Sequence, residues 1–146
     1  MNTISGWFEK PVQKIGFEDV QYAIQHTPLY LIINTLPITE QKCLIKNTMS
    51  YDIEESTLND KITTYQTNKC VIIVYGRNSA DSTVDKKYRQ LISLGFRNVY
   101  VYYGGIFEWL LLQDIYGFNE FPTTDRELDI LKFKAHKTFD ILRIGY

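Results

Sequence analysis

The sequence is poor in the residues that announce special chemistry or a special compartment. In 146 residues it holds two cysteines, Cys43 and Cys70, and two histidines, His26 and His136. Two cysteines are too few for a disulfide framework. Neither histidine has a cysteine or carboxylate at metal-ligand spacing, so each reads as a surface or helix-end residue and no zinc site is expected. A cofactor fingerprint is missing too. Gly104-Gly105 is a lone pair that a tight strand-to-helix turn explains, and the sequence is expected to need no cofactor. Charge of one sign is also lacking: the 16 Lys and Arg face 17 Asp and Glu, for a net −1. Such a balance creates no long-range field to gather nucleic acid or anionic lipid. The longest apolar runs, such as residues 71–75, are far shorter than a membrane span, and no stretch has the basic start and apolar run of a secretory signal. These deficits lead to the expectation of a cytoplasmic protein that binds neither nucleic acid nor membrane.

What is present is the balance of a globular chain, with 45% hydrophobic and 23% charged residues. The length suits one domain with one core. Residues 1–14 mix Trp7 and Phe8 with polar residues and read as an N-terminal arm. Residues 15–121 read as the domain, and residues 122–146 as an extension packed on it.

Within the domain, Phe17, Val20 and Ile24 have the spacing of a short amphipathic helix that Thr27-Pro28 closes. Residues 29–33 are β-branched and apolar and read as a buried strand. Residues 42–48 form a weaker strand candidate. A polar helix is expected over 52–65, with Ile53, Leu58 and Ile62 facing inward. Residues 70–75 are the clearest strand, apolar throughout, as a central strand covered on both faces should be. A helix over 83–94 turns Val84, Tyr88, Leu91 and Ile92 to the core and ends at Gly95. A strand over 98–103, a helix over 106–115 and a stop at Gly117 follow. Thr124-Asp125-Arg126-Glu127 has the form of a capping box, which predicts a helix through about Phe133. Arg126, Lys132, Lys134, Lys137 and Arg143 are diluted by Glu127, Asp129 and Asp140, which makes this tail a solvated face. The alternation of strands and helices predicts an α/β fold: a mostly parallel central sheet flanked by helices, with a C-terminal helical extension.

In an open parallel sheet, ligands gather beyond the carboxyl ends of the strands. The loop leaving the best strand, Gly76-Arg77-Asn78-Ser79-Ala80-Asp81-Ser82, is therefore the candidate pocket loop. It runs straight into a helix, whose first amides lack partners and attract anions. An ordinary connection of small polar residues is the plainer reading of the same loop. The aromatic Tyr102, Tyr103, Tyr116 and Phe118 lie at or just beyond element ends, where core packing competes with a role as an interface.

The strand at 71–75 with its loop, then Leu91-Ile92-Ser93-Leu94-Gly95-Phe96-Arg97-Asn98-Val99-Tyr100, then Gly104-Gly105-Ile106-Phe107-Glu108-Trp109, resembles the rhodanese-like domains. The match covers about residues 15–117, and residues 104–124 look especially like members from large DNA viruses and some protists. That would place the chain in a host cytoplasm or a virion. In active members the resemblance implies a cysteine at the start of the loop that carries a persulfide, held by a ring of backbone amides. Here Gly76 takes that position, so no catalytic residue is expected. Asp81 falls where active loops carry an arginine or another late-loop residue, and a carboxylate there opposes anion binding. Ile33-Asn34-Thr35-Leu36 keeps the outline of a family Asp-x-Arg without either charge. Phosphatases sharing the fold need a cysteine and an arginine bracketing the loop, and both are missing.

Three readings follow from the resemblance. One is a non-catalytic module that binds a partner protein or forms a homodimer through the loop end of the sheet. The second is a thiosulfate-type sulfurtransferase or small-anion binder that uses the loop amides with Arg77 or Ser79. The third is sulfur relay through Cys43. Cys70, six residues before Gly76 on an extended strand, lies about 20 Å from the loop and reads as a buried hydrophobe.

Overall fold

The computed structural model describes residues 11–139. Trp7, Phe8 and Arg143 lie outside them, as does the rest of 1–10 and 140–146. In chain order the elements are α1 (Phe17–Ile24), β1 (Tyr30–Asn34), a 3-10 turn (Ile38–Glu40), α2 (Tyr51–Thr63), β2 (Val71–Tyr75), α3 (Thr83–Ser93), β3 (Val99–Tyr102), α4 (Gly105–Tyr116) and a second 3-10 turn (Ile130–Phe133).

The apolar runs become one parallel sheet in the order β1-β2-β3, with Ile32 opposite Ile73 and Ile73 opposite Tyr100. β2 is central, as its unbroken hydrophobicity predicts. Strand side chains alternate between faces, which divides the core in two. Ile32, Ile73, Tyr75 and Tyr102 meet α1 and α4 through Val20, Ala23, Ile24, Ile106, Trp109 and Leu110. Ile33, Ile72, Val74 and Val101 meet α2 and α3 through Leu58, Val84, Tyr88 and Leu91. The fold is thus a single α/β domain with a parallel sheet covered on both faces, and no helix among the described residues is long and apolar enough to cross a membrane.

Four expectations need correction. Residues 42–48 form no strand: Ile45 makes one isolated antiparallel bridge to Thr123 and Thr48 one parallel bridge to Ile32. Side chains take two of their amides, since Ile45 N donates to the Tyr75 hydroxyl (3.1 Å) and Leu44 N to Thr124 Oγ1 (3.0 Å), while Lys46 N donates to the Pro122 carbonyl and Thr124 N to the Leu44 carbonyl. The capping-box helix is absent, and only the turn at 130–133 forms. Both halves of the box are used elsewhere. Thr124 bonds Leu44 N and the Lys42 carbonyl, while Glu127 accepts from Asp129 N and pairs with Lys132. Ile53 is 52% exposed, so α2 presents Leu58 and Ile62 alone to the core, and Ile92 is 41% exposed beside the buried Val84, Tyr88 and Leu91. Residues 13–15 add a single bridge of Lys14 to Val101 at the edge of β3.

Candidate functional site

The loop after β2 is built around two glycines. Gly105 has φ +67, a conformation that L side chains rarely adopt, and a Cβ there would lie 2.9 Å from the Arg77 carbonyl carbon. Without one, the start of α4 closes onto the loop, and Ile106 N and Phe107 N donate to the Gly76 and Arg77 carbonyls, each at 2.9 Å. Gly76 itself is buried at the carboxyl end of β2. A Cβ built on it would fall inside van der Waals contact of Asp81 Oδ2, 2.7 Å from Val84 Cγ2 and 2.9 Å from Thr35 Oγ1. The space that a cysteine side chain would need is filled.

Asp81 is what fills it. Its Oδ2 accepts from Arg77 N (3.0 Å), and its Oδ1 accepts from Thr83 N (3.0 Å) and Thr83 Oγ1 (2.6 Å). The carboxylate therefore sits at the start of α3, bonded to amides on both sides of the loop, where the helix dipole favours negative charge. Thr83 Oγ1 also reaches Thr35 Oγ1 (2.8 Å), tying the loop to the end of β1. There Asn34 is buried and its Oδ1 accepts from Leu36 N (3.0 Å), a side-chain turn in place of the charged pair implied by the resemblance.

Arg77 does not face the cradle. Its guanidinium pairs with Glu40, donates to the Lys132 carbonyl (2.6 Å) and lies 5.6 Å from the Phe133 ring centre. Asn78 is buried; its Nδ2 donates to the Phe133 carbonyl (2.8 Å) and its Oδ1 accepts from Ala80 N (2.9 Å). The turn at 130–133 thus lies across the loop, anchored by Phe133, which is 1% exposed and packed in the core with Ile106 and Trp109. Ser79, Ala80 and Ser82 remain exposed.

The arrangement answers the chemical expectations in turn. The loop's positive element, Arg77, is neutralised by Glu40, and a carboxylate already occupies the amides. A second anion about 4 Å from that carboxylate would be repelled by about 4 kcal/mol at an effective dielectric of about 20, close to a thousandfold in affinity. Arg77 and Ser79 are therefore not brought together as an anion clamp. Cys43 is buried; its thiol donates to the Asp125 carbonyl (3.2 Å). Burial pushes that thiol up, and the Glu127 and Asp125 carboxylates add to the shift, which is the reverse of what a sulfur nucleophile needs. Cys70 is buried at the far end of β2, its thiol likewise raised by burial.

The aromatic candidates separate. Tyr102 is buried, with its hydroxyl donating to Glu108 Oε1 (2.5 Å), so it offers no surface. Tyr103 is half-buried and bonded to Asp85, and Phe118 is half-buried beneath Arg126, whose guanidinium lies 4.4 Å from the ring centre. Tyr116 alone is widely exposed, at 65%. Sequence reasoning missed Thr35, Thr83, Glu40 and Phe133. Only Thr83 left a signal, as the hydroxyl two residues after an Asp at the start of a helix.

Compared with family models, residues 18–112 match that of the rhodanese-like domain. Among solved structures, the BH2092 protein from Bacillus halodurans aligns at 22% identity with a TM-score of 0.55, over 80% of this chain and 82% of that one. The Alr3790 protein from Anabaena sp. aligns at 22% identity with a TM-score of 0.53, over 81% and 84% respectively. Ygr203w, a yeast protein tyrosine phosphatase of the rhodanese family, aligns at 15% identity with a TM-score of 0.55, over 84% and 98%. At these identities the likeness is one of fold. No curated protein matches the sequence significantly.

Proposed function

The chain belongs to the rhodanese-like domain family, and we propose that within it this chain is a non-catalytic module that acts by binding a partner protein or a second copy of itself. One observation carries the reading: Asp81 occupies the cradle at the position where a side chain on residue 76 would project. A family reaction that needs a thiolate or persulfide at the head of this loop has neither the sulfur nor the room for it. The same carboxylate opposes binding of thiosulfate, sulfate or phosphate by the loop amides. Arg77 and Asn78 serve to hold the 130–133 turn over the loop rather than to receive a substrate.

The test is a thiosulfate:cyanide sulfurtransferase assay on the native protein beside a variant lacking both cysteines. Both are expected to be silent. Turnover by the native protein that disappears in the variant would restore Cys43 or Cys70 as a sulfur carrier, and turnover that survives it would overturn the non-enzymatic reading altogether. Isothermal titration with thiosulfate, sulfate and phosphate is expected to give no heat. Saturable binding of any of these anions by the native protein, tightened in Asp81→Asn, would favour an anion-binding protein instead.

A further inference from the structure

The reading of this chain as a binding module leaves open what it binds and where. We propose that the groove between α2 and α3 is the docking site for a cationic, amphipathic segment of a partner protein; the proposal rests on the binding-module reading and adds the chemistry of the partner.

The groove arises from how weakly α2 is held. A helix covering a sheet normally buries a stripe of apolar residues. α2 buries only Leu58, with Ile62 partly covered, whereas α3 buries Val84, Tyr88 and Leu91. The two helices stand apart across a groove of about 760 Å³, lined by Tyr51, Asp52, Glu55, Leu58, Leu91 and Leu94 among others. That volume lies within the range of real binding clefts, roughly 300–1,000 Å³. Leucines form its apolar part: Leu58 and Leu91 are buried beneath it and Leu94 is 44% exposed.

Charge identifies the occupant. α2 carries four carboxylates, Asp52, Glu54, Glu55 and Asp60, against a single Lys61. Glu54 is spent on Lys87 across the groove, at 2.5 Å. Asp52 and Glu55 line the groove, are exposed, and enter no ion pair among the described residues. The exposed parts of Leu94 and Tyr51 beside unpaired carboxylates are complementary to a helix that presents apolar residues at i, i+4 and i+7 flanked by lysine or arginine. The same carboxylates reject the competing occupants. Nucleic acid and anionic membrane are repelled. The opposite sign of the partner follows from the protein's own charge pattern, on a chain whose net charge is close to neutral.

The experiment is a titration of the full chain, followed by amide chemical shifts, with three helical probe peptides. The first carries Leu at i, i+4 and i+7 with Lys elsewhere, the second has Glu for every Lys, and the third is a scramble of the first. The lysine peptide is expected to bind, with shifts confined to α2 and α3 around Leu58, Gln90, Leu91 and Leu94. The double variant Asp52→Lys, Glu55→Lys is expected to lose about tenfold in affinity for it and to gain affinity for the glutamate peptide. Both positions are exposed, but Asp52 lies in the first turn of α2, where a lysine opposes the helix dipole, so the milder Asp52→Asn, Glu55→Gln variant is measured beside it and is expected to weaken lysine-peptide binding in the same direction. No shifts at about 1 mM lysine peptide, shifts centred on another face, or equal binding of the scramble would each overturn the proposal. So would a dimer in sedimentation whose dissociation moves the α2 and α3 signals, since the groove would then belong to a second copy. A thiosulfate assay on the same sample keeps the two readings apart. Turnover accompanied by peptide binding removes the non-catalytic reading and leaves the groove, while silence without peptide binding removes the groove alone.

Discussion

The carboxylate of Asp81 and the missing side chain of Gly76 occupy the same place: Asp81 Oδ2, which accepts from Arg77 N (3.0 Å), lies in the space into which a Cβ on residue 76 would project. Each residue makes sense only with the other. A cysteine at 76 would displace the carboxylate, and a smaller residue at 81 would leave the Arg77 and Thr83 amides without their acceptor. This changes what restoring the nucleophile would do.

Gly76→Cys alone is expected to be silent in sulfur transfer and less stable by about 1–3 kcal/mol, the usual cost of forcing atoms into a packed site. Urea denaturation of Gly76→Cys, Asp81→Gly and the double variant tests the reason. If the two positions share one space, the double variant is more stable than the summed losses predict, by about 1 kcal/mol or more. Additive losses would mean that the residues do not compete.

Phe133 closes the loop from the other side. Phe133→Ala is expected to cost about 3–5 kcal/mol, because its ring is buried among Ile106, Trp109 and their neighbours. Amide hydrogen exchange should accelerate in residues 77–80 as well as in the turn, since the Phe133 and Lys132 carbonyls receive Asn78 and Arg77. A rise confined to residues after 129 would show that the turn is an independent appendage.

The thiols of Cys43 and Cys70 are both raised by burial. Near pH 8 an aromatic disulfide reagent should therefore react with the native protein far more slowly than with the urea-unfolded chain. A Cys43 that reacts in the native state at the unfolded rate would revive the relay through that residue.

Tyr103 gives an alkaline signature. Burial and its hydrogen bond to Asp85 hold its hydroxyl protonated up to about 12, against an ordinary value of 10.0. Between those values the unfolded chain releases a proton that the native state keeps, so unfolding is favoured as pH rises. Tyr75 and Tyr102, also raised by burial, act in the same direction. The tyrosine contribution should be level below pH 10 and fall above it, on top of an earlier decline that begins near pH 9 as the thiols of Cys43 and Cys70 ionise in the unfolded chain, and Tyr103→Phe should flatten the fall above pH 10 alone. An unchanged slope in Tyr103→Phe would place the shift elsewhere.

The frame can be read along the chain. Apolar runs at β1, β2 and β3 can be buried only in a sheet covered on both faces, and the 3.6-residue spacing in α1 and α3 says which sides cover it. The position of Gly76 at the end of the central strand was legible for the same reason, because strand and loop are neighbours in the chain. Tertiary structure decided what short-range patterns cannot encode. Thr124 and Glu127 have capping-box spacing, yet partners from Lys42, Leu44 and Lys132 claimed their side chains, and distant hydrogen bonds outcompeted a local helix. Asp81 was visible as a charge of the wrong sign, but that it fills the space of residue 76 depends on the close approach of α3, β1 and the loop. The groove beside α2 likewise appears only when two helices distant in sequence stand over one sheet and one of them buries a single leucine. Patterns along the chain fix which faces must be hidden; side chains far apart in the chain then settle which polar groups meet, because each finds its partner only after the apolar faces have closed.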